Sequence, residues 1–285
     1  MMRSMTAPGT YPGSGSGQTP PAWLVARLRA AGCVFAEDEA AVLVEAATSP
    51  AELAQMLQRR VAGHPLEHVV GWVEFAGRRV VVDEGVFVPR RRSELLVREA
   101  VAHLARAARP ARTVPPTRRA PVVVDLCCGC GAIGMAIATA VPGIDLLAAD
   151  LDPVAVRCAA RNVAAVGGTA VQGDLFEALP VRLRGRVDVL VANAPYVPTG
   201  AIALMPPEAR DHEPVAALDG GPDGTDILCR VIAGASPWLA PGGLVLVEVG
   251  RTQRRTIVRE LNRNRLHPRI VVDDDLGGMV ATGRR

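Results

Sequence analysis

A chain of 285 residues with 49% apolar side chains can bury one large core and a smaller companion. All 32 basic residues are arginine, a sign of G+C-rich coding bias, and against 29 acids they leave a net charge of +3, far from the clustered basic footprint of a DNA-binding domain. No apolar run approaches the ~18 residues of a membrane span, and residues 1–20 lack the apolar centre of a secretion signal. The six cysteines are therefore expected as reduced thiols and the compartment as cytoplasmic.

Residues 1–20 are rich in Gly, Ser, Pro and Thr and are expected to form a disordered tail. A small N-terminal helical domain is expected over 21–72, with helices at 23–31, 37–47 and 50–62. Ser49 is placed to cap the third helix, and Leu24, Leu28, Val42, Ala46, Leu53 and Leu57 recur at helical spacing. Residues 73–120 read as a connector: a β-hairpin over 73–88, a helix capped by Ser93 and running to about 108, then a Pro/Arg-rich linker. The five arginines of that linker region (106, 109, 112, 118 and 119) have no acid among them and imply a solvated segment.

From 121 to 285 strand and helix alternate. Strands are expected at 122–126, 145–149, 169–172, 187–192, 244–249, 269–272 and 279–282, with helices at 132–140, 153–166, 225–239 and 252–263. The pattern is that of an α/β domain with a parallel sheet covered on both faces. Its last two strands are separated by too few residues for a crossover and must pair antiparallel.

Chemistry-bearing residues cluster at strand ends. Asp125-Leu126-Cys127-Cys128-Gly129-Cys130-Gly131 joins the first strand of this domain to its helix, where a Gly-rich turn lets backbone approach a nucleotide. Asp150 ends the next strand, in place for ribose hydroxyls. Asp174 follows the third, in place for an adenine amino group, with Leu175 and Phe176 against the ring. The turn is not Gly-x-Gly-x-x-Gly, and no Walker lysine offers a phosphate site. Acids on both sides suit the cationic, phosphate-free S-adenosylmethionine better than a dinucleotide. Cys127, Cys128 and Cys130 lack zinc-site spacing and have no nearby His, so no metal is expected and small side chains tolerated in a turn is the preferred reading. Cys127, standing where a first glycine is usual, should narrow the space for the cofactor.

The strand 187–192 ends in Asn193-Ala194-Pro195-Tyr196. Pro195 holds Ala194 extended, so two carbonyl acceptors and an aromatic face converge where α/β sheets bind ligands. Alone, the turn is equally a loop with Asn as a local hydrogen bonder and Tyr in the core. Three aspartates at successive strand ends tip the reading toward an acceptor site.

These segments resemble the HemK/PrmC-type protein N5-glutamine methyltransferases. The likeness runs from about residue 50 to the end and includes Gly63 to Gly71 with Glu74-Phe75 and Gly77, Val88-Pro89-Arg90 with Ser93 to Val97, Asp125 to Ile133, and Gly173 to Phe176. It continues through Asn193 to Tyr196, Glu213-Pro214 with Ala217 to Gly221, Asp223-Gly224, Pro241 to Gly243, and Glu248 to Gly250 with Gln253. The Asn-x-Pro-Tyr turn alone is shared with adenine-N6 enzymes; the segments around Gly63–Gly77 and Glu213–Gly224 set this family apart. Three positions depart from its pattern: Ala194 for proline, Cys127 for glycine, and Arg91-Arg92 for proline and an acid.

The resemblance implies a class I S-adenosylmethionine-dependent methyltransferase fold, a Rossmann-like seven-stranded sheet with an antiparallel last strand. It implies S-adenosyl-L-methionine bound by Asp125, Cys127, Cys128, Gly129, Cys130, Gly131, Asp150, Asp174, Leu175 and Asn193. The catalytic residues it implies are Asn193, Ala194, Pro195 and Tyr196, and the protein partner is a peptide chain release factor. Asn193 and the Ala194 carbonyl are expected to accept the two amide hydrogens of glutamine, with Tyr196 against the amide plane. The five histidines nominate no general base, and His64 and His68 read as packing or surface residues. Two other functions fit the same turn: methylation of a nucleobase or small-molecule amine, and a non-catalytic cofactor-binding adapter.

Overall fold

The structure is a computed structural model that describes residues 19–108 and 119–285. Most of the expected tail and of the Pro/Arg linker lie outside the described residues. At the linker's end, Arg119 pairs with Asp188 at 3.0 Å instead of standing free in solvent.

Four helices open the chain: α1 (Ala22–Ala30), α2 (Ala36–Ala46), α3 (Pro50–Val61) and α4 (Leu66–Val70). Ser49 caps α3 as expected, its Oγ accepting from the Glu52 amide at 3.2 Å. The short α4 was not anticipated; it ends at Gly71, whose φ of 82° is open to glycine without strain. Leu24, Leu28, Ala40, Leu43, Leu57 and Leu66 form a core of their own. Inside it lies a charge pair, Arg60 Nε to Glu39 Oε2 at 2.5 Å and Nη2 to Oε1 at 3.0 Å, both side chains under a tenth exposed.

The hairpin pairs β1 (Trp72–Phe75) with β2 (Arg78–Val81) through Ala76 and Gly77, both left-handed as a two-residue hairpin turn requires. It ends earlier than expected, and Val82, Val86 and Val88 continue as buried irregular chain. Helix α5 (Glu94–Ala108) follows a 3-10 turn at Arg91–Ser93. Ser93 does not cap that helix; its hydroxyl is directed to a distant carboxylate.

The remaining elements are β3 (Val122–Leu126), α6 (Ala132–Ala140), β4 (Asp145–Asp150), α7 (Pro153–Ala164), β5 (Thr169–Gln172) and β6 (Val187–Ala192), then α8 (Pro207–His212), α9 (Val215–Leu218), α10 (Asp226–Ala235), β7 (Leu239–Glu248), α11 (Arg254–Arg263), β8 (His267–Asp273) and β9 (Gly278–Arg284). The sheet order is β5-β4-β3-β6-β7-β9-β8. β9 is antiparallel to both of its neighbours, so β8 runs with the parallel set and only the last strand is reversed. Helices α5, α6 and α7 pack on one face and α10 and α11 on the other. β7 starts earlier than expected because Pro241-Gly242-Gly243 forms an irregularity within the strand, with a register shift against β6, instead of a helix-ending loop.

Arg60 also reaches Glu208 of α8 at 2.8 Å, tying the helical core to the loop that follows β6. Replacing Arg60 by Met leaves Glu39 buried without a counter-charge. Urea denaturation of Arg60→Met is expected to show a loss of about 3–5 kcal/mol.

Candidate active site

Register places the site. Leu126 is paired with Ala149 and with Ala192, and Ala192 with Val247, so β4, β3, β6 and β7 end at one level. The residues that follow this row are Asp150, Cys127, Asn193 and Glu248, brought together from four separate parts of the chain.

On the cofactor side, Asp125 is fully buried in β3 and its Oδ2 accepts from the Gly134 amide of α6 at 2.8 Å. Its Oδ1 has no hydrogen-bond partner. Burial pushes this carboxyl up to about 8, against the lowering effect of the Gly134 amide and with a further push from Asp150. Asp150 accepts from the amides of Gly129 at 2.8 Å and Asp152 at 3.0 Å, and burial raises its pKa as well. It thus holds the glycine turn in shape. Asn162 of α7 does the same from below: its Nδ2 donates at 2.8 Å both to the Cys130 carbonyl and to Val81 of the hairpin.

Cys127 has a φ of 53°, a conformation that costs a residue with a Cβ about 1–2 kcal/mol. The left-handed backbone breaks the strand alternation, and the side chain packs against the core on the α10/α11 face, as Leu126 before it does. Burial first, then Asp150, Asp125 and Asp174, raise its thiol pKa. Cys128 and Cys130 are buried, and burial raises their thiols too. Among the described residues no group of three or more His, Cys, Asp or Glu could hold a metal. Gly129 and Gly131 have φ of 54° and 76°, and a Cβ on Gly131 would lie 3.0 Å from Val163 and 3.2 Å from Ala159. The turn therefore packs directly on α7.

Asp174 follows β5 and pairs with Arg230 of α10 at 2.8 Å, and Leu175 is left-handed with φ 48°. Phe176 stacks on Trp238 with ring centroids 6.1 Å apart and lies against Gly234 of α10.

On the acceptor side, Asn193 Nδ2 donates to Ser93 Oγ at 3.3 Å, and Ser93 donates to Glu248 Oε2 at 2.6 Å. Tyr196 donates to Glu248 Oε1 at 2.8 Å, and Arg92 gives Nε to the same oxygen at 2.8 Å and Nη2 to the Tyr196 hydroxyl at 2.6 Å. Burial, with Glu248 beside it, raises the Tyr196 pKa well above the ordinary phenol range. Gln253 closes the turn: its Nε2 donates to the carbonyls of Tyr196 at 2.7 Å and Gly224 at 2.9 Å, while its Oε1 accepts from Gly250 at 2.8 Å. A Cβ on Gly224 would sit 2.3 Å from the Tyr196 carbonyl, so the turn depends on that glycine.

The sequence expectation for this site omitted Arg92, Ser93, Glu248, Gln253 and Asn162 as site residues. Ser93, Glu248 and Gln253 lay within the quoted resemblance, but nothing local assigned them a role at the turn. Arg92 was visible only as a departure from the family pattern.

The residues fit S-adenosylmethionine: among the described residues the buried Asp125 oxygen has neither a hydrogen-bond partner nor a counter-cation, and a close-packed glycine turn follows β3. A model of the methyltransferase small domain matches residues 111–205. Over 201 residues the chain is 37% identical to a 4-amino-L-phenylalanine/4-methylamino-L-phenylalanine methyltransferase of Streptomyces pristinaespiralis, covering 70% of this chain and 66% of that one. It is 35% identical over 223 residues to a release factor glutamine methyltransferase of Geobacter sulfurreducens, covering 75% of this chain and 72% of that one. It therefore spans about two thirds of the length of the first relative and somewhat more of the second. A methyltransferase structure from Pyrococcus furiosus superposes with a TM-score of 0.51 at 12% identity, over 81% of this chain and 98% of that one, a likeness of fold.

Fold and site together define a class I S-adenosylmethionine-dependent methyltransferase. Within that class, the chain belongs to the release factor glutamine methyltransferase family.

A carboxyl with its pKa raised to about 8 is mostly protonated at pH 7, and a cationic ligand that needs the carboxylate must displace the proton. Calorimetric titration with S-adenosylmethionine at pH 7, in buffers of different ionisation enthalpy, is expected to show release of roughly one proton per bound ligand. Asp125→Asn is expected to abolish the release.

Proposed function

We propose that the chain transfers a methyl group from S-adenosylmethionine to the side-chain amide nitrogen (N5) of a protein glutamine, in the Gly-Gly-Gln loop of a peptide chain release factor. The observation that carries the proposal is the acceptor turn: Asn193 gives its Nδ2 to Ser93 at 3.3 Å, and no protein group among the described residues hydrogen-bonds its Oδ1; Pro195 favours an extended Ala194, whose carbonyl is the second acceptor in this reading.

An amide nitrogen is a weak nucleophile because its lone pair is delocalised, so the work of the protein is positioning. Bound S-adenosylmethionine supplies an electrophilic methyl group. The chain supplies Asn193 Oδ1 and the Ala194 carbonyl, which accept the two N–H bonds of the glutamine and hold its π face toward that methyl. Substitution of alanine for the family's proline at 194 leaves the carbonyl in place, and Pro195 still restrains it. Tyr196, tied by its hydroxyl to Glu248 and Arg92, covers the site against water. The nitrogen sheds its proton after transfer, when it is far more acidic, so no dedicated base is needed. His68 is consistent with this, being spent on the Val86 carbonyl at 2.8 Å.

The relative from Streptomyces pristinaespiralis favours a second reading, a small aromatic amine. Beside the turn a pocket of about 200 Å³ is bounded by Arg92, Tyr196, Glu248, Arg251, Asp273 and Met279, and its mixed charges suit an amino-acid ligand. An arylamine nitrogen is also planar and delocalised, so the same acceptors serve it.

One experiment tests both. The chain is incubated with labelled S-adenosylmethionine and either unmethylated release factor or 4-amino-L-phenylalanine, and the modified atom is mapped by mass spectrometry. Label on the Gly-Gly-Gln glutamine supports the first reading; label only on the amine replaces it with the second. Asn193→Ala is expected to lower turnover by ~100-fold or more while retaining cofactor binding, since the acceptor geometry is lost. Undiminished turnover by that variant overturns the mechanism.

A further inference from the structure

We propose that Glu248 and Ser93 are positioning residues that set which way round the Asn193 amide sits. The inference rests on the role given to Asn193 above, and it extends to two residues that touch neither substrate nor cofactor in that reading.

Glu248 lies at the end of β7 with its side chain 3% exposed, and three donors converge on it. Arg92 Nε and the Tyr196 hydroxyl both donate to Oε1, at 2.8 Å each, and Ser93 donates to Oε2 at 2.6 Å. A serine hydroxyl has a single proton. With that proton committed to Glu248, Ser93 Oγ can only accept from Asn193, and the Asn193 group that faces it must be Nδ2. Oδ1 is thereby turned to the other side, free to accept a substrate N–H. An asparagine amide is nearly symmetric in shape, so packing alone discriminates poorly between its two orientations. The hydroxyl of Ser93, polarised by a buried carboxylate, makes that choice.

The relay has a built-in test, because Glu248→Gln is isosteric yet reverses it. Arg92 and Tyr196 both require an acceptor, so the new amide must give them its oxygen and turn its NH₂ toward Ser93. Ser93 Oγ then accepts from Gln and donates to Asn193, which flips to bring Oδ1 inward and Nδ2 outward. A donor now stands where the substrate needs an acceptor. Arg92 contributes by fixing the orientation of residue 248, and it is one of the positions at which the chain departs from its family.

The chain contains four asparagines, so side-chain amides of ¹⁵N-asparagine-labelled full-length protein can be assigned individually by NMR with S-adenosylmethionine bound. The Asn193 NH₂ is expected to exchange with solvent ~10-fold more slowly in the parent and in Ser93→Thr than in Ser93→Ala or Glu248→Gln, because only the former keep its hydrogen bond. In the methyl-transfer assay, Glu248→Gln is expected to lower kcat ~100-fold with little change in KM for S-adenosylmethionine, and Ser93→Thr to retain kcat within about threefold. If the Asn193 amide signals of Ser93→Ala and Glu248→Gln match the parent, the relay is wrong, whatever the assay gives. If the signals change as expected but Asn193→Ala turns over normally, the orientation device stands and the acceptor role of Asn193 falls.

Discussion

Strand register is the constraint on which the site depends. The pairs Leu126 with Ala149 and Ala192, and Ala192 with Val247, bring four strands to a common end, so that residues 23 to 121 positions apart in the chain emerge side by side. Side chains alternate between faces, so a one-residue slip of β6 would send Asn193 to the opposite side of the sheet. Burial on both faces prevents that slip. Val189 and Val191 lie in the core under α5 and α6, while Leu190 and Ala192 lie in the core under α10 and α11.

Much of this was legible in the sequence, for local reasons. Val-rich runs marked β3 and β6, and a short run between glycines marked β5, at their observed limits, and the short connection between the last two strands required them to pair antiparallel. What escaped notice was non-local. Ser93 looks like a helix cap because Ser before Glu-Leu-Leu usually is one, yet its hydroxyl meets a carboxylate 155 residues away. Glu248 lies at the end of a continuous apolar strand, and no pattern in its neighbourhood announces three converging donors. Cys127 stands where a glycine is usual, and its left-handed backbone, with φ of 53°, is a conformation that residue identity alone does not disclose.

The two buried carboxylates of the site differ in a way that fits different duties. Glu248 has a donor for each demand its oxygens make, including the Arg92 guanidinium, so its charge is compensated within the protein. Among the described residues Asp125 has one backbone amide, an unpartnered oxygen and Asp150 as its charged neighbour, with no cation beside it. Burying a carboxylate in that state costs stability unless it is protonated or a cation arrives from outside. The saturated group ties Arg92, Ser93 and Tyr196 together, and the unsaturated one has the charge that a cationic ligand would complement.

The acceptor turn chooses a class of nitrogen more sharply than it chooses a molecule. Under the proposed mechanism two oxygens would receive a planar NH₂ with a delocalised lone pair, and an amide and an arylamine both answer that description. Discrimination must then come from what surrounds the turn. Among the described residues two features stand out: the mixed-charge pocket beyond Tyr196, and the α3 to α8 link made by Arg60 and Glu208. The first suits an amino acid; the second ties the helical core to the chain that follows β6. Arg92 bears on the former, since its guanidinium is already shared between Tyr196 and Glu248. A free carboxylate entering the pocket must compete with Glu248 for that cation, whereas a glutamine carried on a polypeptide brings no such charge to the turn. Arg251, 82% exposed and 3.6 Å from Asp274, is the cation of the pocket that a free carboxylate could reach, so discrimination turns on which of the two arginines a ligand meets.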